Sequence, residues 1–279
     1  MMQLRLTCLV DNCVALSAPL WGEHGLSFLV QTQDANVLWD TGQSGTVLRH
    51  NLEVLQLTHV PLAAVALSHA HNDHTGGLNT VRELFPEVPI HAHADILRER
   101  YSQRQGRTRE IGLDAEGRAR AQRDAWHLAA APVELIPHVW TTGTITERRH
   151  PLSAGSHLRA KIEGELAPDP FQDDQALVLE TAGGVVLLLG CCHAGLRNTL
   201  ATVRVRWTAP LLAIIGGSHL SEVGDEELAA IVQALREEHC PKLYLNHCTG
   251  EHARMVLWQS LGECVAPCPA GTVLEFQAR

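Results

Sequence analysis

The stretch His69-Ala70-His71-Asn72-Asp73-His74 decides how this chain is read, because it packs four potential metal ligands into six residues. The segment before it, Leu62-Ala63-Ala64-Val65-Ala66-Leu67, is apolar throughout and reads as a short buried strand. Thr75, Gly76 and Gly77 after it mark a turn that opens a helix through Leu78–Leu84. A strand end, a ligand-rich loop and a helix start make a rigid corner for a site. Side chains two apart in an extended segment point the same way, so His69 and His71 can hold one ion together. Asp73 and His74 follow where the chain turns and can face a second ion. Imidazole suits zinc, iron, manganese or nickel, and a carboxylate hardens the second position. Two ions about 3.5–4 Å apart can share a water and lower its pKa toward 7. With 17 histidines in 279 residues some clustering is expected by chance. A lone His-x-His is more often a surface accident, whereas the full pattern between a buried strand and Gly-Gly is specific.

A second stretch, Val37-Leu38-Trp39-Asp40-Thr41-Gly42, reads as an apolar strand ending in Asp-Thr-Gly. With the histidine run, it resembles the signature of the metallo-β-lactamase superfamily. Glu23-His24-Gly25-Leu26-Ser27, Asp173-Asp174-Gln175-Ala176-Leu177, Gly190-Cys191-Cys192-His193-Ala194-Gly195, Gly216-Gly217-Ser218-His219-Leu220 and His247-Cys248-Thr249-Gly250 narrow the match. They are similar to the branch of dihydropterin–ribofuranosyl-aminobenzene-phosphate synthase-like proteins, along nearly the whole chain. The resemblance implies an α/β fold, an αββα sandwich of two mixed sheets flanked by helices. It implies one domain over 1–279, with halves of about 1–150 and 151–279. It also places Asp40 near the metals, orienting a ligand histidine.

Further ligands are expected where apolar strands end, and three such ends carry histidine: His193, His219 and His247. The expected metal set is His69, His71 and His193 on one ion, with Asp73, His74 and His247 on the other. Asp73 is also the expected general base. His219 is the reserve ligand, or a residue that orients substrate or donates a proton. The bridging ligand departs from the broad superfamily pattern, because Cys191 stands where most members have Asp. Asp174 is favoured for that place, with Cys191 as the alternative; a thiolate would ligate zinc at about 2.3 Å. Two divalent transition-metal ions are therefore expected. Zinc is favoured, and iron or manganese would suit an all-histidine and carboxylate shell.

Length permits one large α/β domain with a substantial core. The formal net charge of −9 argues against a nucleic-acid groove. No apolar run approaches the roughly 20 residues that span a bilayer. The N-terminus lacks a secretory layout, and the eight cysteines lie partly beside candidate ligands. These features lead to the expectation of a soluble, cytoplasmic protein. Strands are expected at Leu4–Val10, Ser27–Thr32, Val37–Trp39, Pro89–His93, Val133–Ile136 and Val139–Thr142. In the second half they are expected at Ala176–Thr181, Val185–Leu189, Leu211–Ile215 and Leu243–Leu245. Helices are expected at Gly45–Leu55 and Glu226–Glu238. His91 and His93 are expected beside the site rather than on metal. The Arg-rich stretch 94–131 reads as either a solvated helix or loop, or a lid offering Arg forks to a phosphate. Residues 144–155 read as a joint between the halves.

The leading functional expectation is a binuclear hydrolase or transferase acting on a phosphorylated small molecule. A synthase reaction that displaces pyrophosphate would use the same geometry. The alternatives are a thioesterase or lactonase, a non-catalytic metal-dependent sensor, and an iron-pair redox protein. The last calls for a carboxylate where Ala70 or Asn72 stands. Neither nucleic acid nor membrane is an expected partner.

Overall fold

The computed structural model describes residues 3–124, 126–153 and 155–279. Strand Gly184–Leu189 shows how the sequence makes its layers. Val186 and Leu188 face one apolar cluster while Val185, Leu187 and Leu189 face another, following the two-residue period of a strand. Because both faces are buried, the strand is apolar without a break rather than alternating.

Two sheets meet on the first of these clusters. One has seven strands, in the order Val273–Gln277, Gln3–Val10, Ser27–Gln31, Asn36–Trp39, Ala64–Ala66, Ile90–Ala92 and His127–Leu128. The other has six, in the order Lys242–Asn246, Leu211–Gly217, Gly184–Leu189, Ala176–Thr181, Val139–Thr141 and Glu134–Ile136. Both mix parallel and antiparallel pairs. Leu6, Phe28, Val30 and Trp39 from the first meet Leu177, Val186, Leu188 and Ile215 from the second. The Trp39 indole also donates to the Leu189 carbonyl across the interface at 3.1 Å. Helices cover the outer faces. Gly45–Val54 and Leu78–Leu84 bring Leu48, Leu52 and Val81 onto the first sheet. Leu196–Arg206, Asp225–Glu237 and Glu251–Leu261 bring Leu200, Ile231 and Leu257 onto the second. The layers are thus helix, sheet, sheet, helix, the αββα sandwich.

The expected strands and helices form, with ends shifted by a residue or two. The Arg-rich stretch is more structured than a helix or loop alone. Arg100–Arg104 and Arg107–Glu110 form an antiparallel hairpin, and Ala115–Arg123 is a helix. The hairpin turns at Gln105 and Gly106, with φ of 52° and 72°, as a two-residue turn with both central residues left-handed requires. It pairs with a second hairpin, Leu158–Ile162 with Glu165–Pro168, to make a four-stranded sheet drawn from both sides of residue 150. Among the described residues, no helix is long and apolar enough to cross a membrane.

Candidate metal centre

The corner is built by strand ends. Ala64–Ala66 leads to Ser68 and His69, and His71 caps a four-residue helical turn, Asn72–Thr75. That turn gives Asp73 and His74 different donor neighbours from His69 and His71, with the His69 and His74 rings only 4.3 Å apart between the two pairs. Four other residues of the site are non-glycine positions with left-handed backbones: Asp40 (φ 56°), Cys192 (60°), His219 (47°) and His247 (50°). Such positions cost on the order of 1–3 kcal/mol each and persist where the surroundings hold them. Each directs the chain sharply out of a strand toward the same centre. Gly190 lets the second sheet approach closely, since a Cβ there would sit 2.1 Å from Ser68 Oγ.

His69 Nε2 lies 3.1 Å from His71 Nδ1, and His193 Nε2 lies 3.2 and 3.1 Å from those atoms. His74 Nε2 lies 3.3 Å from His247 Nε2 and 3.1 Å from Cys191 Sγ. Asp73 Oδ2 is 3.3 Å from His247 Nε2 and 3.8 Å from His74 Nε2. Cys191 has its sulfur within 4.8 Å of the donor atoms of both His69–His193 and Asp73–His74–His247. Six of the expected ligands are therefore brought together, and Cys191 stands between the two groups.

Asp174 is in none of these donor groups, and its buried Oδ1 has no hydrogen-bond partner among the described residues. Its Oδ2 accepts from the Ala194 amide at 2.8 Å, so it braces the turn that carries His193. A buried amide needs an acceptor, and this carboxylate supplies it. Asp173 braces the other wall. Its Oδ2 accepts from Ala70 N at 2.8 Å and its Oδ1 from Arg100 at 2.6 Å. Asp40 orients His74, its Oδ2 lying 2.7 Å from Nδ1, while its Oδ1 accepts from Ser68 N at 2.7 Å. His91 stacks on His127, and His93 caps the 3-10 turn Ala94–Leu97, so both stand outside the donor groups.

Several residues at the centre gave little warning in the sequence. His24 Nε2 reaches Asp73 Oδ2 at 3.2 Å from a largely exposed position. Asn12 Oδ1 lies 3.0 Å from His247 Nδ1, and Asp11 accepts from the His247 amide. Cys248 places its sulfur 3.4 Å from that of Cys191. The Glu-His-Gly and His-Cys-Thr-Gly stretches were the only signals for His24 and Cys248. Asn12 lies just past a strand end and looks like any loop residue.

Burial pushes His69 and His193 well below the ordinary imidazole value and His71 down to about 3. Burial raises Asp73, yet His74, His24 and His247 around it hold its carboxyl well below the usual range. Burial pushes the Cys191 thiol up, so a cation is needed to make it a thiolate. Three neutral imidazoles sharing one convergence point cannot satisfy one another, since each carries a single N–H. Ligands on a tetrahedral ion at about 2.0–2.1 Å are separated by about 3.3–3.4 Å, close to the spacings seen. The donors present therefore fit a transition-metal ion. His71, Asp73, Cys191, His193 and His247 line a cavity of about 520 Å³, whose wall carries Ser102, Arg104 and Arg109 from the Arg-rich hairpin.

The family model of the metallo-beta-lactamase superfamily matches residues 20–190. The chain belongs to this superfamily. A relative from Methanocaldococcus jannaschii, 7,8-dihydropterin-6-methyl-4-(beta-D-ribofuranosyl)-aminobenzene-5'-phosphate synthase, is 25% identical over 98% of this chain and 97% of its own. The crystal structure of Tm1679, a metal-dependent hydrolase of the β-lactamase superfamily, superposes with a TM-score of 0.83 at 26% identity. That match covers 98% of this chain and 99% of the other. Hydroxyacylglutathione hydrolase of Yersinia pestis is 34% identical over 76 residues, 27% of this chain and 29% of its own. The superfamily resemblance seen in the sequence thus extends over both halves.

Proposed function

We propose that this superfamily member is a two-ion metallo-enzyme acting on a phosphorylated small molecule. The carrying observation is the pair of donor groups meeting at Cys191, on the floor of a cavity whose wall bears Arg104 and Arg109. His69, His71 and His193 would hold one ion, and Asp73, His74 and His247 the other, with Cys191 between them. When bound, such ions polarise a phosphoryl oxygen and lower the pKa of a water.

The chain's own groups do the rest. Arg109 forms no ion pair among the described residues, so its guanidinium is available as a planar fork for a phosphate. Arg104 is held by Glu222, within reach of the same space. Asp73 would take the proton of the attacking water, and His24, its Nε2 3.2 Å from Asp73 Oδ2 and its ring reaching solvent, would carry that proton away. His219 lines the cavity beside His193, facing the space a substrate would enter. The full-length likeness to the M. jannaschii synthase points to an aminobenzene-riboside phosphate with a pterin-like partner. The same arrangement serves phosphoester hydrolysis or the release of diphosphate as a new carbon bond forms. A thioesterase or lactonase needs a more apolar chamber than one walled by Ser102, Arg104, Arg109 and Asn72.

Elemental analysis of the purified chain should find close to two transition-metal ions. His71→Ala and Asp73→Ala should lose most of that metal, and turnover should fall at least about a hundredfold. Arg109→Ala should keep the metal and raise KM for phosphoesters about tenfold, the effect of losing about 1.4 kcal/mol of binding. Full metal content in His71→Ala would refute the assignment. So would turnover of thioesters or lactones with phosphoesters left untouched.

A further inference from the structure

Cys191 and Cys192 are adjacent but serve different places. Cys192 turns into the core, its sulfur 3.3 Å from Thr199 Oγ1. Cys191 turns into the cavity and meets Cys248 there, sulfur to sulfur, at 3.4 Å. Cys248 comes from a different strand end, next to His247, and its sulfur accepts from the His219 amide at 3.2 Å. His219 is held in a left-handed backbone, and its buried Nδ1 has no hydrogen-bond partner among the described residues. Cys191, His219 and Cys248 bring one donor atom each within 4.8 Å of the others.

Two sulfurs on one tetrahedral ion at about 2.3 Å are separated by about 3.8 Å, near the spacing observed here. The orphaned imidazole nitrogen is a second, independent sign of an absent partner, since buried ring nitrogens are ordinarily satisfied. An apolar packing role would bring Cys248 among aliphatic side chains, as it does Cys192. Instead the thiol lies in a polar cavity open to exchange with solvent.

We infer that Cys248 and His219 join Cys191 as a sulfur-rich ligating arm of the metal centre, which selects a soft divalent ion of the zinc class over manganese or magnesium. The inference rests on the two-ion reading and adds a ligand set to it. Two thiolates and an imidazole favour zinc, cobalt(II) or cadmium, whereas manganese and magnesium prefer oxygen donors. The arm would let an ion sit at the Cys191 end with either His247 or His219 completing its shell. It would also make metal capture depend on the thiols being reduced.

The test loads the full-length chain with cobalt(II) under reducing, anaerobic conditions and reads the near-ultraviolet sulfur-to-cobalt absorbance. Wild type should show a band that falls by about half in Cys248→Ser and by about half in Cys191→Ser, and vanishes in the double variant. Zinc-over-manganese preference, measured by competition, should fall about tenfold in Cys248→Ser. X-ray absorption on the zinc-loaded wild type needs no variant and should count two sulfurs per chain. A band unchanged in Cys248→Ser but abolished in Cys191→Ser, with one sulfur counted, overturns this inference and leaves the two-ion reading standing. Failure to bind cobalt, or a band that keeps its full strength in Cys191→Ser, overturns Cys191's place in the centre and the inference together.

Discussion

Ser68 shows how closely single residues are fitted around the candidate centre. Its amide and hydroxyl both bond to Asp40, and the hydroxyl also lies 2.8 Å from His69 Nδ1. Asp40 thus reaches one histidine directly, His74, and a second through Ser68. Replacing Asp40 with Asn keeps the shape but removes the charge that fixes the His74 ring. Asp40→Asn is therefore expected to weaken metal affinity about 10–100-fold, measured by chelator competition, while the protein remains folded. The candidate ligands of the His-x-His-x-Asp-His run were readable because the strand and turn periods dictate their facing. Asp174 was not, because nothing local distinguishes a carboxylate that faces a metal from one that faces a buried amide. Of the two candidates for the place between the donor groups, Cys191 is the one that lies within 4.8 Å of both.

At the scale of elements, the Arg-rich hairpin is tied to the metal loop by one side chain. Arg100 is fully buried and pairs with Asp95, Asp169 and Asp173, and Asp173 in turn holds the Ala70 amide between two of the candidate ligands. Removing one partner from a buried charged network leaves the others unpaired, at about 3–5 kcal/mol. Arg100→Met should lower the stability measured by urea unfolding by about that amount. It should also loosen the hairpin, seen as faster amide exchange over residues 100–110. Exchange unchanged in that segment would show that the hairpin is anchored elsewhere. The central strands were legible because two-sided burial makes an uninterrupted apolar run. The small sheet was not, since Arg107–Glu110 is exposed along its whole length and carries no apolar period. Its partner hairpin lies about fifty residues further on, beyond any local pattern.

The whole molecule meets at the centre. His69, His71, Asp73 and His74 come from the seven-stranded sheet's side, and Cys191, His193 and His247 follow strands of the six-stranded sheet. An ion bound there would therefore staple two sheets that already share one apolar interface. Anything that binds only the folded state stabilises it, by about 2.7 kcal/mol at a hundred times the dissociation constant. Stripping metal with EDTA should lower the melting temperature by several degrees, at roughly 2–4 °C per kcal/mol for a chain near this size. Calorimetry should show one transition before and after, because the sheets share the cluster around Trp39 and Leu188. Two separate transitions after stripping would mean that the metal, and not the core, joins the halves.

The sequence by itself determined most strands and helices, hence the α/β class, and the first four candidate ligands, while the sandwich layering was what the family resemblance implied. Strand and helix periods are local, and a ligand run six residues long carries its own geometry. Only the tertiary structure decided that Cys191 rather than Asp174 stands between the donor groups, that His24, Asn12 and Cys248 reach them, and that Arg109 faces the same space. Those positions are fixed by which strand ends lie side by side across two sheets, a relation that exists only once the apolar faces have been buried together.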